Sequence, residues 1–451
     1  MRTLISFRSA ALLAIILVLS GSVLPSSAQS ATPPSDQTPT FTALHMVSAT
    51  NGWAVVTVPD TSPLRSSPLS GDTYPGTEAY IVHTEDGGQR WANVSPAMPQ
   101  ANVMPDAGAY NCDCSDNGFS GWSVLDDDHV WVMIDDAGFQ GNQLFSGISL
   151  RKTSDAGQTW QNFVGAMNAP SVVATTFIDP THGWLLAGNL PSDDGSDQPA
   201  LLYRTSDGVR WDLISDDGSH SHPGSNPDGA DEPISAVDTG ITAMMHKDMA
   251  FESETSGWML VDSPDSTDAH LLHTTDGGVT WTRNSVLPNV NEDYCSVFQL
   301  QVSAPNITFM TGCISGRYFY QSSDDGQSWQ NRPIPAYLLN FSGWPQAFML
   351  NALTGWVLGC DSQLDAAGCD SKAKPFLYKT ADAGKTWSEI GALPDALAPL
   401  NGDFGLQTLA QFDFVDDQTG WAIAPTDALF STHDGGKTWT AIQSVIPGLQ
   451  N

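Results

Sequence analysis

Basic side chains are scarce in this chain of 451 residues, where 17 Lys and Arg stand against 50 Asp and Glu. That imbalance argues against nucleic acid, anionic lipid and acidic polymers as partners, since each would be repelled. Glutamate is scarcer still, with 7 copies against 43 of aspartate. Asp favours turns where Glu favours helices, so the acids belong where the chain reverses. Beyond Leu19 no apolar run is long enough for a membrane-spanning helix. The six cysteines form no Cys/His cluster of zinc-finger spacing. Gly-x-Ser-x-Gly, zinc-hydrolase and phosphate-cradling motifs are also missing, which removes several common routes to catalysis.

The beginning of the chain has the form of a secretory leader. Arg2 and Arg8 precede the apolar run 10–19, and Ser26-Ser27-Ala28 fits a small-residue cleavage site. An uncleaved anchor is the alternative. Residues 29–40 form a Pro/Ser/Thr-rich linker. Loss of Arg2 and Arg8 with the leader leaves 15 basic against 50 acidic side chains, a net charge of −35. A secreted or cell-envelope location is expected.

A short phrase, Ser/Thr-x-Asp-x-Gly-x-Thr/Ser-Trp, occurs seven times. Its aspartates are Asp86, Asp155, Asp207, Asp276, Asp324, Asp382 and Asp434; its tryptophans are Trp91, Trp160, Trp211, Trp281, Trp329, Trp387 and Trp439. Only the third copy is a residue short. Each copy lies between two β-rich runs, which reads as a hairpin. The Asp can accept backbone N–H bonds in the turn, the Gly can take a positive φ, and the Trp can cover a neighbouring sheet. A structural role is therefore expected for these residues. Upstream of most copies lies a second strand pair ending in Gly-Trp, at Trp53, Trp184, Trp258, Trp356 and Trp421. The second repeat has His129-Val-Trp131 instead, and the fifth has Ile307-Thr-Phe309. Four strands in each of seven repeats predict an all-β, seven-bladed β-propeller over residues 41–447. The predicted blades are about 41–97, 117–166, 171–216, 241–287, 294–334, 345–392 and 407–445.

The phrase resembles the Asp-box, or BNR repeat, of sialidases, sortilin-type receptors, xyloglucanases and the photosystem II assembly-factor family. Repeat number and the Gly-Trp strand are most similar to the photosystem II assembly-factor propellers. A sialidase resemblance would imply three arginines clamping a substrate carboxylate. Of the eight arginines after the leader, only Arg65 and Arg317 lie clear of the repeated phrase and its flanking strands. The arginine patch of the assembly factors has no counterpart in so acidic a chain.

In an exported protein six cysteines suggest three disulfides: Cys295–Cys313 across a hairpin, Cys360–Cys369 closing a short loop, and Cys112 with Cys114 as a strained loop or a metal pair. Asp113, Ser115 and Asn117 match the first half of a calcium loop, although Val124 stands where its bidentate Glu belongs. Calcium is thus the one cofactor suggested. Asp216 to His222 offers mixed oxygen and imidazole ligands. A solvated loop is the plainer reading of both.

The expectation is a monomeric binding or scaffolding module for a protein or carbohydrate ligand. Its site is expected on the channel face opposite the repeated turns, among the long connections 57–76, 189–198, 262–268 and 360–374. A carbohydrate-active hydrolase is the alternative. Ring closure is expected from packing of the first blade on the seventh near Phe41, since no C-terminal repeat fragment completes the first blade.

Overall fold

The computed structural model describes residues 39–59, 77–96, 118–140, 143–167, 171–188, 201–214, 246–262, 269–284, 296–313, 316–334, 347–360, 375–398 and 410–449, with short pairs at 26–27, 65–66, 73–74, 234–235, 400–401 and 407–408. Seven antiparallel four-stranded blades follow one another in sequence order. The first is Thr40–Met46, Gly52–Pro59, Thr77–Thr84 and Ala92–Asn93. The second is Gly118–Val124, His129–Gln140, Gln143–Ser154 and Thr159–Met167. Ser171–Phe177, Gly183–Gly188, Leu201–Thr205 and Asp212–Leu213 build the third. The fourth comprises His246–Phe251, Gly257–Asp262, Ala269–Thr274 and Thr280–Arg283. The fifth comprises Ser296–Ser303, Asn306–Cys313, Gly316–Ser322 and Gln330–Pro333. Ala347–Met349, Gly355–Cys360, Pro375–Thr380 and Ser388–Ala392 make the sixth. The seventh is Gln411–Phe414, Gly420–Ile423, Leu429–Thr432 and Thr440–Ala441. The molecule is a seven-bladed β-propeller. Among the described residues the only helical element is a 3-10 turn at Asp395–Leu397.

The second strands read as continuous apolar runs, such as Trp53-Ala-Val-Val56, because each blade has a neighbour on both faces. The core accordingly lies between blades. Seven apolar clusters fill the seven blade–blade gaps. In six gaps the Gly-Trp tryptophan of one blade, or Trp131 in the second, meets the repeat tryptophan of the next. Trp184 with Trp281 and Trp421 with Trp91 are examples. Between the fifth and sixth blades no such tryptophan exists; Thr308 takes its position, paired in register with Gln321. There Arg332 donates to the Ala383 carbonyl of the sixth blade at 3.2 Å.

First strands of adjacent blades touch from the second blade round to the seventh and on to the first, so they surround the axis. In the first five blades this strand carries a register shift, for example between His246 and Asp248. Such bulges bend a strand at a barrel-like rim.

The ring closes as expected between blades one and seven, with Phe41, Met46 and Trp91 in one cluster with Trp421 and Leu429. The C-terminal segment adds a feature the sequence did not suggest. Val445 forms a parallel bridge with Arg90, and Ile446 and Leu449 are buried in the seam. The tail thus contributes to the first blade without repeating a blade strand.

Candidate functional site

The repeated phrases form equivalent turns between the third and fourth strands. In the first copy Thr84 Oγ1 accepts the N–H of Gly88 at 3.0 Å and donates to Asp86 Oδ1 at 3.0 Å. The same carboxylate oxygen accepts the Arg90 N–H at 2.8 Å. In five other copies the later hydroxyl donates to the second carboxylate oxygen at 2.6–2.8 Å, from Thr159, Thr280, Ser328, Thr386 and Thr438. The short third copy instead brings the Arg210 guanidinium to Asp207, 3.1 Å away. Burial opposes ionisation of Asp434, but bonds from Thr438 and Thr432 outweigh it and hold the carboxyl at about 2. Backbone N–H bonds from Arg210 and Val209 hold Asp207 at about 2 as well. Each carboxylate serves its own loop, and the seven are not brought together.

A basic residue directly before the phrase adds a latch between blades. Lys152 lies over the Trp131 ring, 4.9 Å from its centroid, and donates to the Pro180 carbonyl of the next blade at 2.6 Å. Lys379 repeats this with Trp356 at 4.7 Å and the Asp417 carbonyl at 2.6 Å. Phe177 and Phe414 stack on the other faces of these rings, at 3.6 and 3.7 Å. Burial lowers the pKa of both lysines, while neighbouring aspartates oppose the shift. His83 and His273 take the same position on Trp53 and Trp258. His83 Nε2 meets Asp127 Oδ1 at 2.8 Å. Where the next turn contains Gly-Gly, the Gly-Trp indole also donates to the first glycine's carbonyl: Trp184 to Gly277, Trp356 to Gly435 and Trp421 to Gly87. Three of the scarce basic side chains, Lys152, Lys379 and Arg332, thus bridge neighbouring blades. A basic residue before the phrase in five of seven copies is the sequence signal for this.

On the innermost strands, polar side chains stitch neighbouring blades. Asp248 Oδ2 accepts the Leu300 N–H at 2.7 Å, and its Oδ1 accepts the Met249 N–H at 2.9 Å. Asp413 accepts the Met46 N–H across the ring seam. Gln301 donates to the Met349 carbonyl at 2.7 Å. Although some Asp248 surface remains accessible, desolvation raises its carboxyl to about 7 against the two N–H bonds. Sequence reasoning missed these groups, because their partners lie on the following blade.

The first-to-second and third-to-fourth connections are short and share one face. Strand alternation sends the second-to-third and blade-to-blade connections to the opposite face, where the long spans 60–76, 189–200, 361–374, 97–117 and 215–245 leave and re-enter the ring. The predicted disulfide set, Cys112, Cys114, Cys295, Cys313, Cys360 and Cys369, falls outside the described side chains. Asp113, Ser115 and Asn117 also lie outside the described residues, as does Asp216 to His222. Among the described residues no helix is long and apolar enough to cross a membrane.

No family model and no curated protein matches the chain. Solved structures similar to it include YCF48 bound to a D1 peptide, at 16% identity over 72% of this chain and 80% of that one, with a TM-score of 0.42. A polysaccharide lyase of the PL25 ulvan lyase family is 11% identical over 92% and 97%, with a TM-score of 0.43. The GH74 xyloglucanase from Xanthomonas campestris is 12% identical over 93% and 81%, with a TM-score of 0.31. No residue of this chain takes a role from them.

Proposed function

We propose that the chain is an exported, non-catalytic binding module that meets a protein or glycan ligand on the face opposite the repeated turns. The observation that carries this is the segregation of connections. One face is closed by short, mutually latched turns, while every long connection issues from the other. Loops set on a rigid frame are where recognition residues accumulate. Strong negative charge favours a cationic protein surface or a neutral glycan over an anionic polymer.

The test uses the purified chain from Gln29 onward on a glycan array and against immobilised envelope proteins. A second form has 361–374 replaced by a short Gly/Ser loop. Retention by the first form and loss by the second, both with the same melting temperature, is the expected result. Turnover of a fluorogenic glycoside panel, sialosides included, would make the protein a hydrolase and overturn the reading.

A further inference from the structure

The middle hairpin of the second blade is unlike the other six. Its strands, His129–Gln140 and Gln143–Ser154, have 12 residues each, while the corresponding strands of the other blades have 8 or fewer. Pairing runs without a register shift from Ser154 opposite His129 to Gln143 opposite Gln140. The blade's first strand accompanies it only to Gly118 opposite Asp135, and the outer strand only to Met167 opposite Ile148. Beyond that level, residues 136–147 form a two-stranded ribbon with no third strand beside it among the described residues. Its paired residues, at about 3.3 Å each, carry the tip about 16 Å past the blade. The ribbon leaves on the face opposite the repeated turns, with the other second-to-third connections.

Its chemistry also departs from the rest of the chain. No Lys or Arg occurs between Trp91 and Arg151, and no charged residue at all between Asp136 and Arg151. Strand alternation and register assign the ribbon's residues to two faces. Ile134 packs with Trp53 and Ile81 of the first blade, so Gly138 and Gln140, with their partners Phe145 and Gln143, fall on the face toward that blade. Met133 and Leu150 pack toward the third blade, and Phe139 and Leu144 fall on their face.

We infer that this ribbon is an arm that grips a neutral glycan, on the face assigned to Phe145, Gln140 and Gln143. The inference rests on the reading that the face opposite the repeated turns binds a ligand, and it selects a glycan over a protein. Phe145 stands opposite Gly138 and two residues from Gly147, so its nearest register neighbours on that face carry no side chain. An aromatic ring in such a setting suits the C–H face of a sugar ring, which prefers the electron-rich face of an aromatic. Gln140 and Gln143 stand opposite each other beside the Gly141-Asn142 turn. Each amide offers both an acceptor oxygen and N–H donors, the pairing that sugar hydroxyls require. A carboxylated or sulfated polymer would find no cation on the arm and would be repelled by the chain's negative charge. A cationic protein surface would need acids, and beyond Asp136 the ribbon has none.

The probe is a set of immobilised neutral hexaoses (cellohexaose, mannohexaose and chitohexaose), with polygalacturonate as the anionic control, and the chain from Gln29 onward. Retention on at least one hexaose and none on polygalacturonate is expected. Phe145→Ala should weaken retention about tenfold or more at unchanged melting temperature. A second form, with 136–147 replaced by Asn-Gly, should lose retention altogether. Undiminished retention of either variant overturns the inference and leaves the ligand-binding reading intact, as does a parent chain held by envelope proteins but by no hexaose. Retention on polygalacturonate overturns the inference as well. A parent chain held by neither hexaoses nor envelope proteins overturns both.

Discussion

The indole N–H of Trp421 donates to the Gly87 carbonyl at 2.9 Å, joining the last blade to the turn of the first. It repeats across the seam the bond that joins Trp184 to Gly277 and Trp356 to Gly435. Closure is therefore one more blade–blade contact, reinforced by the tail at Ser444–Leu449.

Trp421→Phe keeps most of the apolar contact and removes this bond. We expect a loss of about 1–2 kcal/mol, read as a lower denaturant midpoint at unchanged slope. An unchanged midpoint would show that the seam does not depend on it.

Lys379→Met tests the latch between the sixth and seventh blades. The variant retains the apolar stem over Trp356 but loses the bond to the Asp417 carbonyl and the ring–cation contact. About 1–3 kcal/mol of destabilisation is expected. Because the donor is 16% exposed, the effect should persist at high salt. Loss of the difference in 1 M salt would mark the latch as a screened surface pair.

Gly436 sits at φ +96°, and an added Cβ would come 2.5 Å from Leu377 Cδ2. Gly436→Ala combines left-handed strain with overpacking at the sixth–seventh interface. About 2–3 kcal/mol of destabilisation is expected, measured by chemical denaturation. A neutral result would mean the turn can move away from Leu377.

Asp248 gives the ring a pH dependence. The unfolded chain releases this proton near 3.8 and the folded chain at about 7. The folded state is therefore favoured by this group below 3.8, and that advantage is lost as pH rises to 7. Melting temperature should fall between about pH 4 and 7, and Asp248→Asn should flatten that fall. An identical slope in the variant would assign it to other groups.

The repeat phrase, present in all seven copies, and the Gly-Trp strand, present in five, made the seven blades legible, because their spacing is local. The roles of Lys152, Lys379 and Asp248 were hidden. Each acts on a carbonyl or N–H of the following blade, at Pro180, Asp417 or Leu300, and no local pattern names that partner. The segment 444–449 was equally silent, since a parallel bridge to Arg90 requires no repeat signature.

Alternation, turn chemistry and period were enough to determine the architecture, the count of strands and which face carries the short turns, because hairpins form between neighbours in the chain. Only the tertiary structure decided which repeat tryptophans are fully buried and which lysines are latches. Those outcomes depend on contacts between blades, where packing and unpaired backbone groups are set by residues distant in sequence.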